Sequence, residues 1–131
     1  MAHAVTSPPM LRLRRSTQSG TKAMTAAYAT GVVYTESSTM AYIFSGAEID
    51  LSNMAGGDVI DIRVRKIVVP GGAWVNHDHV NYAGAMPVGH VTAHINPIPD
   101  IYGVEIAMQQ TAGVLRNIDC EFFDAKRIGL P

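Results

Sequence analysis

The stretch Gly57–Val69, GDVIDIRVRKIVV, constrains the fold more than any other part of the chain. The apolar residues Ile60, Ile62, Val64 and Val68 recur at every second position, interrupted by Lys66. Charged residues stand between them. This period of two is typical of a long β-strand that buries one face. Because a buried face needs a second layer of structure, we expect a sheet packed against another sheet.

Other alternating or apolar segments follow along the chain, and glycine, proline and small polar residues separate them. They predict strands in residues 24–34, 40–44, 47–51, 74–82, 90–96, 102–109 and 114–123. The second and third segments are either two strands or one strand that continues past a bulge at Gly46. A hairpin turn is expected at Gln110–Gly113. We therefore predict an all-β fold, an antiparallel β-sandwich of seven to eight strands with a jelly-roll or Greek-key arrangement.

Residues 1–22 differ from the rest, because they contain Pro8-Pro9 and show no sustained periodicity. We expect them to form an extended N-terminal arm before a β-sandwich domain of residues 23–131. The arm carries four basic residues and no acidic one, whereas the remainder of the chain is net negative. Apolar residues between the arginines favour an arm that docks on a neighbouring subunit over a solvated tail. The predicted assembly residues are Pro8, Pro9, Leu11, Arg12, Leu13, Arg14 and Arg15.

The composition limits the classes of function. A formal net charge of −1 argues against a nucleic-acid-binding domain, and no apolar run is long enough for a membrane span. No signal-peptide core begins the sequence, which indicates folding in the host cytoplasm. Charged residues make up only 16% of the chain, which suggests that other subunits cover part of its surface. Cys120 alternates with apolar residues, and we expect a buried thiol without a disulfide partner.

No arrangement typical of catalysis is found in the sequence. Neither a dinucleotide-binding nor a phosphate-binding glycine loop is present. Asp78 lies between two histidines, but neighbours on a strand face opposite sides of a sheet, so these residues cannot form a triad. We therefore expect neither an enzyme nor a bound cofactor.

The histidines offer an alternative. His77 and His79 are two residues apart and share one face of a strand. His94 lies on a second strand, at residues 90–96. If those strands pair, the imidazoles can converge on a divalent metal. The spacing of Gly71 from the first two histidines resembles the opening of the cupin metal motif, although Ala83 and Gly84 stand where a cupin has its glutamate. The alternative prediction is a cupin-like small barrel that binds metal through His77, His79 and His94.

Three further segments carry a family resemblance: Ile49–Lys66 (IDLSNMAGGDVIDIRVRK), Ile98–Gly113 (IPDIYGVEIAMQQTAG) and Arg116–Phe123 (RNIDCEFF). Together they resemble small β-structured proteins encoded among the head and tail genes of tailed bacteriophages and related archaeal viruses. The resemblance implies a virion protein, most simply a capsid decoration (cement) or minor capsid protein that forms homotrimers or larger assemblies. Its implied partners are copies of itself and the major capsid protein or other virion subunits.

Two further alternatives remain at this stage. A major capsid or tail subunit would have the same class of fold. A carbohydrate- or receptor-binding sandwich is a third class, for which Trp74 and Tyr82 would supply the aromatic contacts.

Overall fold

The structure is a computed structural model that describes residues 10–36, 42–100 and 102–128. These residues contain β-strands and one short 3-10 helix at Tyr28–Thr30, with no α-helix among them. The strands are β1 (Met10–Arg15), β2 (Gly20–Ala23), β3 (Val32–Glu36), β4 (Tyr42–Asp50), β5 (Val59–Ile67), β6 (Trp74–Ala83), β7 (Thr92–Ile95), β8 (Ile98–Asp100), β9 (Val104–Ala112) and β10 (Asn117–Ile128). The prediction of an all-β fold is confirmed.

The strands form two antiparallel sheets. Sheet 1 has the order β1, β10, β4, β7, with β2 also paired to β10 and β8 also paired to β4. Sheet 2 has the order β3, β9, β5, β6. Because β1 and β2 share one partner strand and β7 and β8 share another, each sheet is four strand positions wide.

The chain changes sheet after β2, β3, β4, β6, β8 and β9. Two four-position sheets joined by such crossings form a jelly roll, one of the two arrangements predicted from the sequence. The fold buries one face of each sheet against the other and leaves two outer faces and two ends.

Strand β5 confirms the long strand predicted from the alternating sequence, and it lies in the middle of sheet 2, between β9 and β6. Its even positions Ile60, Ile62 and Val64 are buried between the sheets. Val68 differs from the prediction, since it is 60% exposed. The strand ends at Ile67, whose amide donates to the carbonyl of Gly103, and the following residues turn away from the core.

Three aromatic rings occupy the centre of the core. Tyr34 of sheet 2 lies 5.1 Å from Phe44 and 5.2 Å from Phe122 of sheet 1, between ring centroids in tilted orientations. Such tilted pairs are favoured over face-to-face stacking. Cys120 is buried beside them on β10, as predicted, and burial raises the pKa of its thiol to about 12. Aliphatic residues complete the layer, among them Ile49, Leu51, Ile60, Ile106, Met108 and Ile118.

The strand predicted at residues 24–34, with an interruption at Gly31, forms only in the part that follows this glycine. Strand β2 ends at Ala23, a 3-10 turn follows, and β3 begins only at Val32. Gly31 explains the break, because its carbonyl accepts from the amide of Met108, and a Cβ at Gly31 would collide with the Met108 carbonyl oxygen. The segment therefore follows the edge of β9, where the amide of Gln110 donates to the carbonyl of Thr25, and Tyr28 contacts Arg63.

Two turns also differ in position or type from the sequence pattern. Residues 42–50 are one strand, and the shift in register opposite Phe123 confirms the alternative in which the strand continues past a bulge at Gly46. The hairpin turn predicted at Gln110–Gly113 is wrong, because β9 continues to Ala112 and the turn occupies residues 113–116. Gln110 is 2% exposed and inside the protein.

The boundary between arm and sandwich at residue 22 stays a prediction, and the described residues 10–23 contribute two strands to sheet 1. Strands β1 and β2 both pair with β10, from Met10 opposite Ile128 to Ala23 opposite Asn117. Strand β10 extends to Ile128 and would otherwise present a long unpaired edge. The segment from residue 10 onward is therefore part of sheet 1, while residues 1–9 lie outside the described residues.

Candidate functional site

Of the predicted assembly residues, Arg15 is the one whose side chain the structure describes. Its Nε lies 2.6 Å from Glu121 Oε2 on the outer face of sheet 1, where both side chains are exposed. Exposed pairs of this kind contribute little stability, about 0–1 kcal/mol. Leu11, Arg12, Leu13 and Arg14 lie in β1, but their side chains are outside the described part of the chain, as are Pro8 and Pro9.

The structure does not bring the three candidate metal ligands together. His79 on β6 lies 3.9 Å from Asp61 Oδ1 on the outer face of sheet 2, and His94 on β7 lies 2.7 Å from Glu48 Oε2 on the outer face of sheet 1. His77 is exposed on β6, beside the bulge in its pairing with β5. Among the described residues, no three His, Cys, Asp or Glu side chains form a group that could hold a metal ion.

The outer face of sheet 1 is acidic. Asp50 stands directly opposite Asp119, and Glu48 stands directly opposite Glu121 on the neighbouring strand. Like charges in directly opposed positions repel each other. Hydrogen bonds from Ser52 hold the pKa of Asp50 below its usual range, so this carboxylate keeps its negative charge. Arg15 contacts Glu121 and His94 contacts Glu48 on this face, but the four carboxylates still disfavour contact with another acidic surface.

The outer face of sheet 2 carries charges that are paired within the chain. Arg65 contacts Glu105 through Nε at 2.8 Å and Nη2 at 2.6 Å. The guanidinium of Arg63 stacks 4.2 Å above the ring of Tyr28, a favourable cation–π arrangement. Burial is the main cause that raises the pKa of Tyr28. Side-chain amides of Asn81 and Gln109 donate to Asp61.

One end of the sandwich is built around a single buried carboxylate. We use the term loop end for the four connections that meet there, residues 24–31, 51–58, 84–91 and 113–116. Asp58 is 1% exposed and accepts hydrogen bonds from the amides of Ala55 and Val114 and from Arg116 Nε, the last at 2.7 Å. Its own carbonyl accepts from the amide of Gly84. The hydrogen bond from Arg116 is the largest cause that lowers the pKa of Asp58.

Further hydrogen bonds join the same four connections. The amide of Met24 donates to the carbonyl of Arg116, and the amide of Leu51 donates to the carbonyl of Val91. The side-chain amide of Asn53 donates to the carbonyl of Asn117 at 2.8 Å. The loop end is therefore a connected framework and not a set of independent loops.

Sequence reasoning did not identify Asp58, Gln110 and Arg116 as functional candidates. All three nevertheless lie in the segments that carry the family resemblance, which meet in space at the loop end. The available signal was the Gly57-Asp58 pair that precedes the long strand. Nothing in a single sequence shows that this aspartate is buried or that its partner lies 58 positions away.

The two aromatic residues considered for ligand binding do not share a surface. Trp74 pairs with Ile67 at one end of β5, whereas Tyr82 pairs with Ile60 near the other end. Trp74 lies below the guanidinium of Arg65, at 5.9 Å, and Tyr82 packs against the core. These positions do not form one aromatic platform.

Comparison with known proteins supports the fold. No protein-family model and no curated protein sequence matches the chain. The described helical turn is too short to cross a membrane. A structural match is the crystal structure of the infectious bursal disease virus VP2 subviral particle, with 12% sequence identity and a TM-score of 0.50. The match covers 91% of this chain and 33% of that chain. This chain therefore shares its β-sandwich fold with a viral capsid protein and spans about a third of its length.

Proposed function

We propose that this protein is a virion structural protein, and specifically a capsid decoration (cement) or minor capsid protein that self-associates. The observation that carries the proposal is the jelly-roll order of both sheets, supported by the structural match to VP2 over 91% of this chain. The proposal assigns the protein no enzymatic activity and no cofactor.

Because cupins and lectins also use jelly rolls, the surfaces of this chain must distinguish the functions. A cupin-like site needs converging imidazoles, and here His79 and His94 contact carboxylates on opposite outer faces. A sugar-binding platform needs neighbouring aromatic rings, and Trp74 and Tyr82 lie at opposite ends of a strand. The capsid proposal needs neither converging ligands nor an aromatic platform.

A decoration protein acts by coupling its own binding to the assembly equilibrium of the shell. A protein that binds the assembled shell but not its free subunits stabilises the assembled state by mass action. A rigid β-sandwich suits this role, since a pre-organised surface loses little conformational entropy when it binds. We place the protein in the virion, where it meets the major capsid protein and other copies of itself as homotrimers or larger rings.

The test is reconstitution on particles. Particles purified from a deletion strain are mixed with the purified protein, sedimented, and heated while shell disassembly is followed by light scattering. We expect co-sedimentation, saturation at a fixed number of copies per shell, and a higher disassembly temperature. Failure of the protein to sediment with particles, or its absence from wild-type particles, would overturn the proposal.

A variant separates the capsid proposal from the metal-binding alternative. The double substitution His77→Ala/His79→Ala removes two of the three candidate ligands from an exposed strand. The proposal predicts unchanged particle binding and no change in metal content. Loss of about one bound transition metal per chain together with loss of binding would favour the alternative.

A further inference from the structure

We propose that the loop end is the surface through which copies of this chain contact one another. The inference deepens the proposed function, because it names the surface for the self-association on which that function rests. Three observations carry it: the distribution of charge, the way the turn at residues 113–116 is built, and the exposure of aliphatic side chains there.

The loop end has almost no free formal charge. Its four connections contain one acidic residue, Asp58, and one residue of the Lys and Arg type, Arg116. These two form an ion pair with each other, with Nε 2.7 Å from Oδ2. These connections also contain one histidine, His90. Depletion of charge is the compositional mark of the core of a protein interface.

The turn at residues 113–116 is held from its inner side. The side-chain amide of Gln110 donates to the carbonyl of Val114 at 2.7 Å, and its oxygen accepts from the amide of Arg116 at 2.9 Å. Asp58 Oδ1 accepts from the amide of Val114 at 3.2 Å. Gly113 has a φ of 86°, and a Cβ there would collide with Asp58.

These hydrogen bonds determine which side of the turn faces solvent. Two buried polar side chains bind the backbone of the turn, so the backbone faces inward and the aliphatic side chains face solvent. Val114 is 66% exposed and Leu115 is 56% exposed. On the connection of residues 84–91, which is hydrogen-bonded to residues 51 and 58, Val88 is 99% exposed. A rigid framework that presents aliphatic side chains to solvent is costly for an isolated protein and is typical of an interaction site.

A second copy of this chain is the occupant that the charges favour. Around a symmetry axis, each copy presents the same surface to its neighbours. The outer face of sheet 1 would bring carboxylates such as Glu48 and Asp119 against those of another copy, which is repulsive. Uncharged surfaces can meet without this cost. The loop end of one copy can therefore meet the loop end of another without this repulsion.

The test uses the full-length protein and two matched substitutions. Leu115→Glu places a charge at the loop end, and Val69→Glu places one at a residue of similar exposure, 57%, at the opposite end of β5. Sedimentation velocity over a range of protein concentrations measures the mass. Circular dichroism and the melting temperature of each variant show whether it is folded.

We expect the wild-type chain and Val69→Glu to form the same oligomer, and Leu115→Glu to dissociate, with association weakened about tenfold or more. Leu115→Met should retain the oligomer. A wild-type protein that stays monomeric at all concentrations, or an oligomer that survives Leu115→Glu while Val69→Glu disrupts it, would overturn the inference. An oligomer lost only because the variant unfolds is recognised from its spectrum, and Val88→Glu then gives the decision.

These outcomes are separate from those of the proposed function. The mass is measured without particles, whereas the proposed function is tested by binding to particles. A monomer that binds particles contradicts this inference alone, and an oligomer that does not bind particles contradicts the proposed function alone.

Discussion

At the scale of single residues, Gly113 and Asp58 determine how the loop end is built. Gly113 has a positive φ and lies against Asp58 with no space for a side chain. Gly84 has a similar φ of 77°, but open space surrounds the position where its Cβ would be. A substitution at Gly84 therefore introduces backbone strain alone, whereas one at Gly113 introduces both strain and a collision.

We predict that Gly113→Ala lowers the free energy of unfolding more than Gly84→Ala. Backbone strain alone costs about 1–3 kcal/mol, and the collision with Asp58 adds to it only at residue 113. Urea denaturation of both variants measures the difference. Gly56→Ala, at a position with open space and no positive φ, is the control. Equal losses for residues 113 and 84 would contradict the packing described here.

The ion pair of Asp58 and Arg116 predicts how stability depends on pH. Since the hydrogen bond from Arg116 lowers the pKa of Asp58 in the folded state, the carboxylate stabilises the fold above its unfolded pKa. That contribution is lost as the pH falls through the lower, folded pKa. We expect the urea concentration at the midpoint of unfolding to decrease as the pH drops below about 4.

An Asp58→Asn variant supplies the comparison for this prediction. It should be less stable at pH 7 and should lose less stability on acidification than the wild-type chain. If the free energy of unfolding decreases with falling pH equally in the two proteins, other carboxylates cause the pH dependence.

The buried thiol gives a third prediction at this scale. Because burial raises the pKa of Cys120 to about 12, we expect almost no thiolate and almost no reaction with a disulfide reagent at pH 8. Labelling in urea should follow the unfolding curve. Rapid labelling of the native protein would mean that β10 opens locally.

At the scale of elements, β1 and β2 matter more than the sequence indicates. Both strands pair with β10, and the amide of Ser16 donates to the carbonyl of Phe122 at 2.7 Å. The sequence predicted a separate arm because Pro8-Pro9 precedes only a short alternation of leucine and arginine, Leu11 to Arg14, and no longer periodicity follows. Pairing with β10 overrides the weak local signal, since β10 needs a partner along its full length.

Truncations test this pairing. Removal of residues 1–9 leaves β1 and its register intact, so we expect wild-type stability. Removal of residues 1–15 exposes the edge of β10 from Phe123 to Ile128, and we expect lower stability and aggregation. Equal denaturation midpoints for both truncations would show that β1 contributes little to sheet 1.

At the scale of the whole molecule, the alternation in residues 57–69 and 114–123 predicts two strands that bury one face, and the structure has them as β5 and, shifted to Asn117–Ile128, as β10. Ile60, Ile62 and Phe122 are buried on the predicted faces. The connections were less predictable. Gln110 looks like a turn residue by composition, yet it is buried because the backbone of the next turn needs its amide. Such contacts between distant residues are absent from local sequence patterns.

The candidate site was predictable only in part for the same reason. The sequence shows Val114 and Leu115 as apolar residues near a turn, where they could equally belong to the core. Their exposure follows from Asp58, which lies on another connection. The histidines show the reverse case, since spacing suggested convergence and the jelly roll separates His79 from His94 on two outer faces.

The central claim is that this jelly roll is a component of a virus particle. Quantitative mass spectrometry of purified particles, with isotope-labelled peptides of this chain as standards, tests it most directly. The account predicts a fixed ratio of this chain to the major capsid protein, unchanged by further purification. Absence of the chain from purified particles, while it is abundant in the host cells that produce them, would contradict the account.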